Sequence, residues 1–187
     1  MPIMSIAFLD IEVSTSSNKI LDLGAVNDFD AEIHTPSQGD FFNFIKDAEF
    51  IGGHNIVNHD LKYLAHLDLG KKKIVDTLYL SPLMFPMRPS HKLLKDEKIL
   101  SDALNNPLLD AQKSRDLFYD EVNAFKALDD DLKTIYFSLL KDSAEFKGFF
   151  EFLGYIIPTK GILRIFQGNS ENKNTAKLIK KRFVGSI

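Results

Sequence analysis

Residues 5–13 read SIAFLDIEV, and the rest of the chain is organised around this stretch. Five of the six residues from Ile6 to Ile11 are apolar, a pattern typical of a strand buried on both faces of a sheet. Asp10 and Glu12 stand two residues apart near its end, so their side chains leave the same face. Because neighbouring carboxylates repel each other unless a cation lies between them, the pair indicates a divalent-metal site. An isolated Asp-x-Glu is a weak signal, since a solvated strand end has the same pattern.

Composition limits both the class of protein and the kind of metal site. The 187 residues are 44% hydrophobic and 26% charged, values typical of a soluble globular chain. Cysteine is absent, which excludes disulfides and thiolate ligands, and a net charge of −3 argues against a generally basic nucleic-acid-binding surface. No apolar run reaches the ~20 residues of a membrane span, and the N-terminus lacks the basic head of a signal peptide. We therefore expect a cytoplasmic protein without a membrane partner.

The order of predicted elements is that of an α/β domain followed by helices. After the first strand, further strands are expected over residues 19–27, 31–34, 50–55 and 74–78. Helices are expected near residues 41–45, 57–69 and 91–104, from residue 108 onwards, and within 132–155. We predict an α/β domain over residues 1–125 and a helical appendage or linker over residues 126–187.

Four motifs follow the first strand in a fixed order. They are Gly53-His54-Asn55 with Asp60 entering a helix, Val75-Asp76-Thr77-Leu78, Ser90-His91-Lys92-Leu93 and Leu108-Leu109-Asp110-Ala111. In this order they resemble the DEDD superfamily of 3′–5′ exonucleases, a proofreading-exonuclease-like group with a ribonuclease H-like fold. The resemblance covers residues 5 to about 125 and rests on the ordered coincidence of motifs that are individually unspecific.

The resemblance implies a mixed five-stranded sheet flanked by helices and two divalent metal ions held by four carboxylates. These carry over to Asp10, Glu12, Asp60 and Asp110. Phosphodiester hydrolysis needs an activated nucleophile and stabilisation of charge on the phosphate, and two metal ions can supply both. Oxygen ligands without thiols favour Mg²⁺ or Mn²⁺. The implied activity is 3′–5′ exonucleolytic cleavage of nucleic acid, with single-stranded DNA ends as the expected substrate and residues 14–18 beside the terminal nucleotide.

Two of the aspartates also have simpler interpretations. Taken alone, Asp60 is a first-turn carboxylate of a helix that Asn58 would cap, and the helix dipole favours it there. Asp76 belongs to a family motif without being a ligand, so we expect it to have a structural role.

The sequence departs from the family at the general base. The histidine-bearing branch has His five residues before the last Asp, where this chain has Asn105, and the tyrosine-bearing branch has Tyr four residues before it, where this chain has Asn106. Asparagine can orient a water but cannot accept its proton, and loss of a base typically costs about 10²–10⁴ in rate. Asn105 is therefore expected at the site without the function of a base.

An alternative alignment uses His91 and Asp96, which keep the His-to-Asp spacing intact. Asp96 stands only 20 residues after Asp76 and is flanked by charged residues, a pattern typical of a solvated helix face. We favour Asp110 as the fourth ligand and keep His91 as a candidate base from elsewhere in the fold.

Two functions remain open at this point. The first is a metal-dependent exonuclease. The second is a catalytically weak or inactive module of the same fold that binds nucleic acid, for which Lys71, Lys72, Lys73 and the basic C-terminal stretch would supply affinity. The domain also resembles those fused in front of RecQ-type helicases, so a helicase domain in the same polypeptide is an expected partner.

Overall fold

The computed structural model describes residues 5–93 and 106–157 of the chain. Its strands are β1 Ile6–Val13, β2 Ile20–Asn27, β3 Glu32–Thr35, β4 Phe50–Gly53 and β5 Lys73–Asp76. Its helices are α1 Gln38–Ile45, α2 Asp60–Tyr63, α3 Thr77–Met84, α4 Pro107–Ala127, α5 Asp130–Leu140 and α6 Ala144–Leu153. None of the helices within these two ranges is long and apolar enough to cross a membrane.

The strands form one mixed five-stranded sheet in the order β3-β2-β1-β4-β5. The first three are antiparallel neighbours, whereas β4 runs parallel to β1 and β5 runs parallel to β4. Local chemistry makes the β2–β3 turn, because Oδ1 of Asn27 accepts hydrogen bonds from the backbone N–H groups of Phe29 and Ala31. The predicted α/β class and the mixed sheet flanked by helices are confirmed.

Strand β1 is buried on both faces, as its apolar run predicts. Ile6 and Phe8 join a buried cluster with residues of α4, among them Ala111, Phe118, Val122 and Phe125. Ala7, Leu9 and Ile11 point to the opposite face and pack with residues of α1, including Phe41 and Ile45. The alternation along β1 therefore defines two sides of the sheet, one covered by α4 and the other by α1.

Helix α6 lies against the outer strand β5. A Cβ added at Gly148 would lie 1.9 Å from the carbonyl oxygen of Ile74, so only glycine allows this approach. Phe146, Phe149 and Phe150 of α6 belong to the same buried cluster as Phe8 and Phe118. The described part of segment 126–187 thus contributes to the core beneath α4. The division of the chain at residue 125 stays a prediction.

Two predicted helices differ from the structure. The helix expected over residues 57–69 is reduced to α2, and Asn58 does not cap it, because the Asn58 side-chain amide donates to Asn55 Oδ1 and the Tyr79 hydroxyl. Residues 55–57 are held out of the helix by backbone hydrogen bonds to Asp76. Of the helix expected over residues 91–104, residues 91–93 are not helical and 94–104 lie outside the described residues.

Candidate active site at the end of β1

The carboxylates of Asp10 and Glu12 lie on the face of β1 that α4 covers. They continue the alternation of Ile6 and Phe8, and both are partly exposed where the apolar part of the strand ends. The ladder to β2 shifts its register between Glu12 and Val13. A register shift of this kind interrupts the regular ladder directly after Glu12.

Asp110 is brought to this end of the sheet by a contact at Gly24. Gly24 is the cross-strand partner of Asp10 on β2, so the two residues share a face. A Cβ at Gly24 would lie 2.1 Å from the backbone nitrogen of Leu108, which means that the first turn of α4 rests directly on the glycine. Asn106 caps that turn by accepting from the N–H groups of Leu108 and Leu109. The first turn of α4, which contains Asp110, therefore lies beside the Asp10–Gly24 pair.

The side chain of Asp60 contacts the backbone of β1. Oδ1 of Asp60 accepts a hydrogen bond of 3.1 Å from the N–H of Ile11, the residue between Asp10 and Glu12. Strand β4 pairs with β1 only as far as Phe8, so the carboxylate takes the place of a strand partner beyond that point. The predicted first-turn position of Asp60 is confirmed, and its structural contact is with β1.

Burial changes the protonation of Asp60. The side chain is only 1% exposed, and this desolvation raises the pKa of Asp60 to about 6. The imidazole of His59, whose Nδ1 lies 3.5 Å from Oδ1, and the N–H of Ile11 act in the opposite direction and limit the rise in pKa. Buried carboxyl groups with a raised pKa occur preferentially at functional sites.

Asp76 holds the loop that delivers Asp60. Its carboxylate accepts from the backbone N–H groups of Asn55, Val57 and Leu78 at 2.8, 3.1 and 2.9 Å. One side chain thus joins the loop after β4 to the beginning of α3. Burial raises the pKa of Asp76, and these three hydrogen bonds oppose the rise. The structural role predicted for Asp76 is confirmed.

The fit of these residues to divalent metal ions is partial. Their carboxylate oxygens are the donors that Mg²⁺ and Mn²⁺ prefer. Within residues 5–93 and 106–157, however, no three His, Asp or Glu side chains are grouped closely enough to hold an ion. Asp110 also has a cationic neighbour, because Nζ of Lys113 lies 3.8 Å from its Oδ1. The structure thus brings Asp60 and the first turn of α4 to β1, but the described residues form no ready ligand cage for a metal ion.

Asn105 and Asp96 lie outside the described residues.

His91 is described, and its Nδ1 lies 2.9 Å from the hydroxyl of Ser81 in α3. One turn earlier, the hydroxyl of Thr77 lies 2.9 Å from Nδ1 of His54. Burial, with a smaller effect of His91, lowers the pKa of His54 to about 4, so its imidazole is neutral at physiological pH. The turn position of His54 was predicted from the sequence. The two contacts between a hydroxyl of α3 and an imidazole were not predicted. The sequence signal was two hydroxyls spaced i, i+4 in an apolar helix.

Sequence reasoning also missed Glu121. This residue of α4 is fully buried, and neither carboxylate oxygen has a hydrogen-bond partner among the described residues. Burial, together with the charge of Asp76, raises the pKa of Glu121 to about 10. The available signal was its position three residues after Phe118, on the apolar face of the helix.

The loop after β1 is a tight polar turn. The N–H of Asn18 donates to the carbonyl of Ser14, and Asn18 has a positive φ of 54°. Residues 15–18 are exposed beside the end of β1.

Comparisons of the chain with protein-family models, with curated proteins and with solved structures gave no significant match.

Proposed function

We propose that this protein is a 3′–5′ exonuclease of ribonuclease H-like fold, acting on single-stranded DNA ends in the cytoplasm. The observation that carries the proposal is the Ile11–Asp60 hydrogen bond, which brings a distant acid to the backbone of the residue that stands between Asp10 and Glu12 in the sequence. The contact of α4 with Gly24 supports it, since Gly24 is the cross-strand partner of Asp10 and Asp110 belongs to the first turn of α4. A mixed five-stranded sheet flanked by helices is what the ribonuclease H-like fold requires.

The proposed chemistry assigns a task to each group at the end of β1. Asp10, Glu12, Asp60 and Asp110 would hold divalent metal, which supplies water activation and charge stabilisation when bound. Asp60 is fixed in orientation by the N–H of Ile11 and is mostly ionised above about pH 6, where its raised pKa lies. The exposed turn of residues 14–18 borders Glu12 and offers hydroxyl and amide groups to a terminal nucleotide.

A second candidate function is a nucleic-acid-binding module without useful turnover. The absence of a three-donor group among the described residues and the Lys113–Asp110 contact favour it. Lys72 and Lys73 give this candidate little support. Lys73 begins β5 and Lys72 precedes it, whereas Asp10 and Glu12 lie near the opposite end of the parallel strands. Lys72 donates to the carbonyls of Lys46 and Ala48, and Lys73 pairs with Glu49 at 2.9 Å.

A gel assay with a 5′-labelled single-stranded oligonucleotide tests the proposal. With Mn²⁺ or Mg²⁺ the full chain should shorten the strand from its 3′ end and release mononucleotides, and chelation should stop the reaction. Asp10→Asn should reduce the rate by about two orders of magnitude or more. Asp40→Asn, an exposed first-turn acid of α1, is the matched control and should leave the rate unchanged.

Two results decide between the candidates. An Asp10→Asn variant as active as the parent would refute the nuclease proposal. Parent protein that binds the oligonucleotide in a fluorescence anisotropy titration, yet cleaves nothing at any metal concentration, would establish the binding module instead.

A further inference from the structure

We infer that Nε2 of His54 accepts a hydrogen bond from the free 3′-hydroxyl of a terminal nucleotide, so that His54 is a specificity-determining residue of the proposed site. The inference rests on the proposed function, because it names the group that would distinguish the end of a strand from its interior. It starts from the position of His54 in the sheet. Asp10 follows Phe8 by two residues on β1, and His54 follows Gly52 by two residues, directly after β4.

The register of the sheet places His54 at the level of Asp10. Phe8 and Gly52 are partners in the parallel β1–β4 ladder, and a Cβ at Gly52 would lie 2.5 Å from the Phe8 ring, so both residues face α4. Residues two positions further along a strand leave the same face. The imidazole of His54 contacts Thr77 of α3, a helix whose buried residues join the same cluster as those of α4. Asp10 and His54 therefore lie on one face of the sheet, on neighbouring segments.

Thr77 determines the tautomer of His54. The Thr77 hydroxyl donates to the carbonyl of Gly53 at 3.4 Å and lies 2.9 Å from Nδ1 of His54. Because a hydroxyl has one proton to donate, it accepts from the imidazole, and Nδ1 carries the hydrogen. Burial, with a smaller effect of His91, lowers the pKa of His54 to about 4, which keeps the ring neutral near pH 7. Nε2 is then an acceptor, and the described residues provide it with no hydrogen-bond partner.

A neutral acceptor beside a carboxylate selects a hydrogen-bond donor. The phosphodiester oxygens of a nucleic acid carry no proton at neutral pH, so Nε2 cannot form a hydrogen bond with them. At the 3′ end of a strand the 3′-hydroxyl is a donor, whereas the 3′-oxygen of an internal nucleotide is esterified and has no hydrogen. An acceptor at this position of the sheet therefore favours a free 3′ end over the interior of a strand.

An NMR titration of the ¹⁵N-labelled full chain with thymidine, in metal-free buffer, tests this inference. We expect a His54 ring protonated at Nδ1, with an Nε2 resonance that shifts when thymidine is added. The analogue 3′-deoxythymidine should bind about 3- to 10-fold more weakly, which is the change that one hydrogen bond supplies.

Two substitutions of His54 separate its two ring nitrogens. His54→Asn keeps an amide for Thr77 but loses the acceptor at the Nε2 position, so it should bind both nucleosides equally. His54→Gln restores an acceptor at that distance and should recover the preference for thymidine. His66→Asn is the matched control, because His66 is an exposed histidine that contacts Gln38, and this variant should bind like the parent.

The outcomes separate this inference from the nuclease proposal. No binding of thymidine by the parent, equal binding of the two nucleosides, or a His54 ring protonated at Nε2 overturns the inference without any need for a variant. A His54→Asn protein that has a parental circular dichroism spectrum and keeps the preference also overturns it. DNA cleavage by a parent that shows no preference for thymidine would keep the nuclease proposal and reject the role of His54. A preference that depends on His54, in a protein that never cleaves DNA, would do the reverse.

Discussion

The backbone N–H of Ile11 donates a 3.1 Å hydrogen bond to Oδ1 of Asp60, although 49 positions separate the two residues in the chain. The bond continues the hydrogen bonding of β1 where β4 no longer reaches, and it also brings an acid to the backbone of the residue between Asp10 and Glu12 in the sequence. Asp60 thus has a structural task, as acceptor for a strand amide, and a proposed chemical task, as a metal ligand. Substitutions can separate the two.

Asp60→Asn and Asp60→Ala should have different effects. Asparagine keeps an oxygen that accepts from Ile11 while removing the charge, so the free energy of unfolding near pH 7 should be close to that of the parent. Alanine leaves a buried N–H without a partner and should cost about 1–3 kcal/mol. Both should lose nuclease activity. Urea unfolding followed by the cleavage assay would check this, and equal destabilisation by both variants would contradict it.

Gly24→Ala should disturb both stability and the site. The added methyl would lie 2.1 Å from the backbone nitrogen of Leu108, so α4 must move, at a cost of about 1–3 kcal/mol. Because Asp110 moves with it, Mn²⁺ affinity should fall as well. Gly148→Ala is the matched control: its methyl would lie 1.9 Å from the carbonyl oxygen of Ile74 on β5, three strands away from Gly24 on β2. Thermal melts should show a lower Tm for both variants. Titration with Mn²⁺ should show a loss of affinity for Gly24→Ala alone.

Asp76→Ala should be among the most destabilising single substitutions in the chain. It removes the acceptor of three backbone N–H groups, and at about 1 kcal/mol or more for each the total is about 3 kcal/mol or more. Asp129→Ala is a useful comparison, because Asp129 caps α5 through one bond to Leu132 and should cost about 1 kcal/mol. Similar midpoints for the two variants in urea would show that the loop after β4 does not depend on Asp76.

Glu121 should make the protein less stable as pH rises. Its folded-state pKa of about 10 lies above the ordinary value of 4.5, so the unfolded chain loses this proton first. Above about pH 4.5 stability therefore falls, by about 3 kcal/mol near pH 7. Glu121→Gln cannot ionise, so it should exceed the parent in stability near pH 7 and approach it near pH 4. Urea unfolding of both proteins across this range measures the difference.

A control for this pH dependence is Glu145→Gln. The hydroxyl of Ser143 lowers the pKa of Glu145, so this carboxylate contributes stability above its unfolded pKa and the difference has the opposite sign. A parent–Glu121→Gln difference that does not change with pH would contradict the buried-acid interpretation.

Local pattern was sufficient for much of the fold. The apolar run of β1 predicted burial on both faces, and the helical period of α4 predicted Ala111, Phe118, Val122 and Phe125 as its buried side. The spacing of Asp10 and Glu12 placed both on one face. These features follow from the geometry of a single strand or helix, so residues near in sequence determine them.

Contacts between distant segments decided the rest. The short length of α2, the hydrogen bond from Ile11 to Asp60 and the contact of α4 with Gly24 each depend on residues from different elements. Glu121 is buried in α4, although the helical period alone is compatible with an exposed acid at the edge of the apolar face. Hydrophobic periodicity reports which face of an element is buried, but it carries no information about which partner covers that face. Only the packed sheet and helices determine which residues from distant segments come into contact.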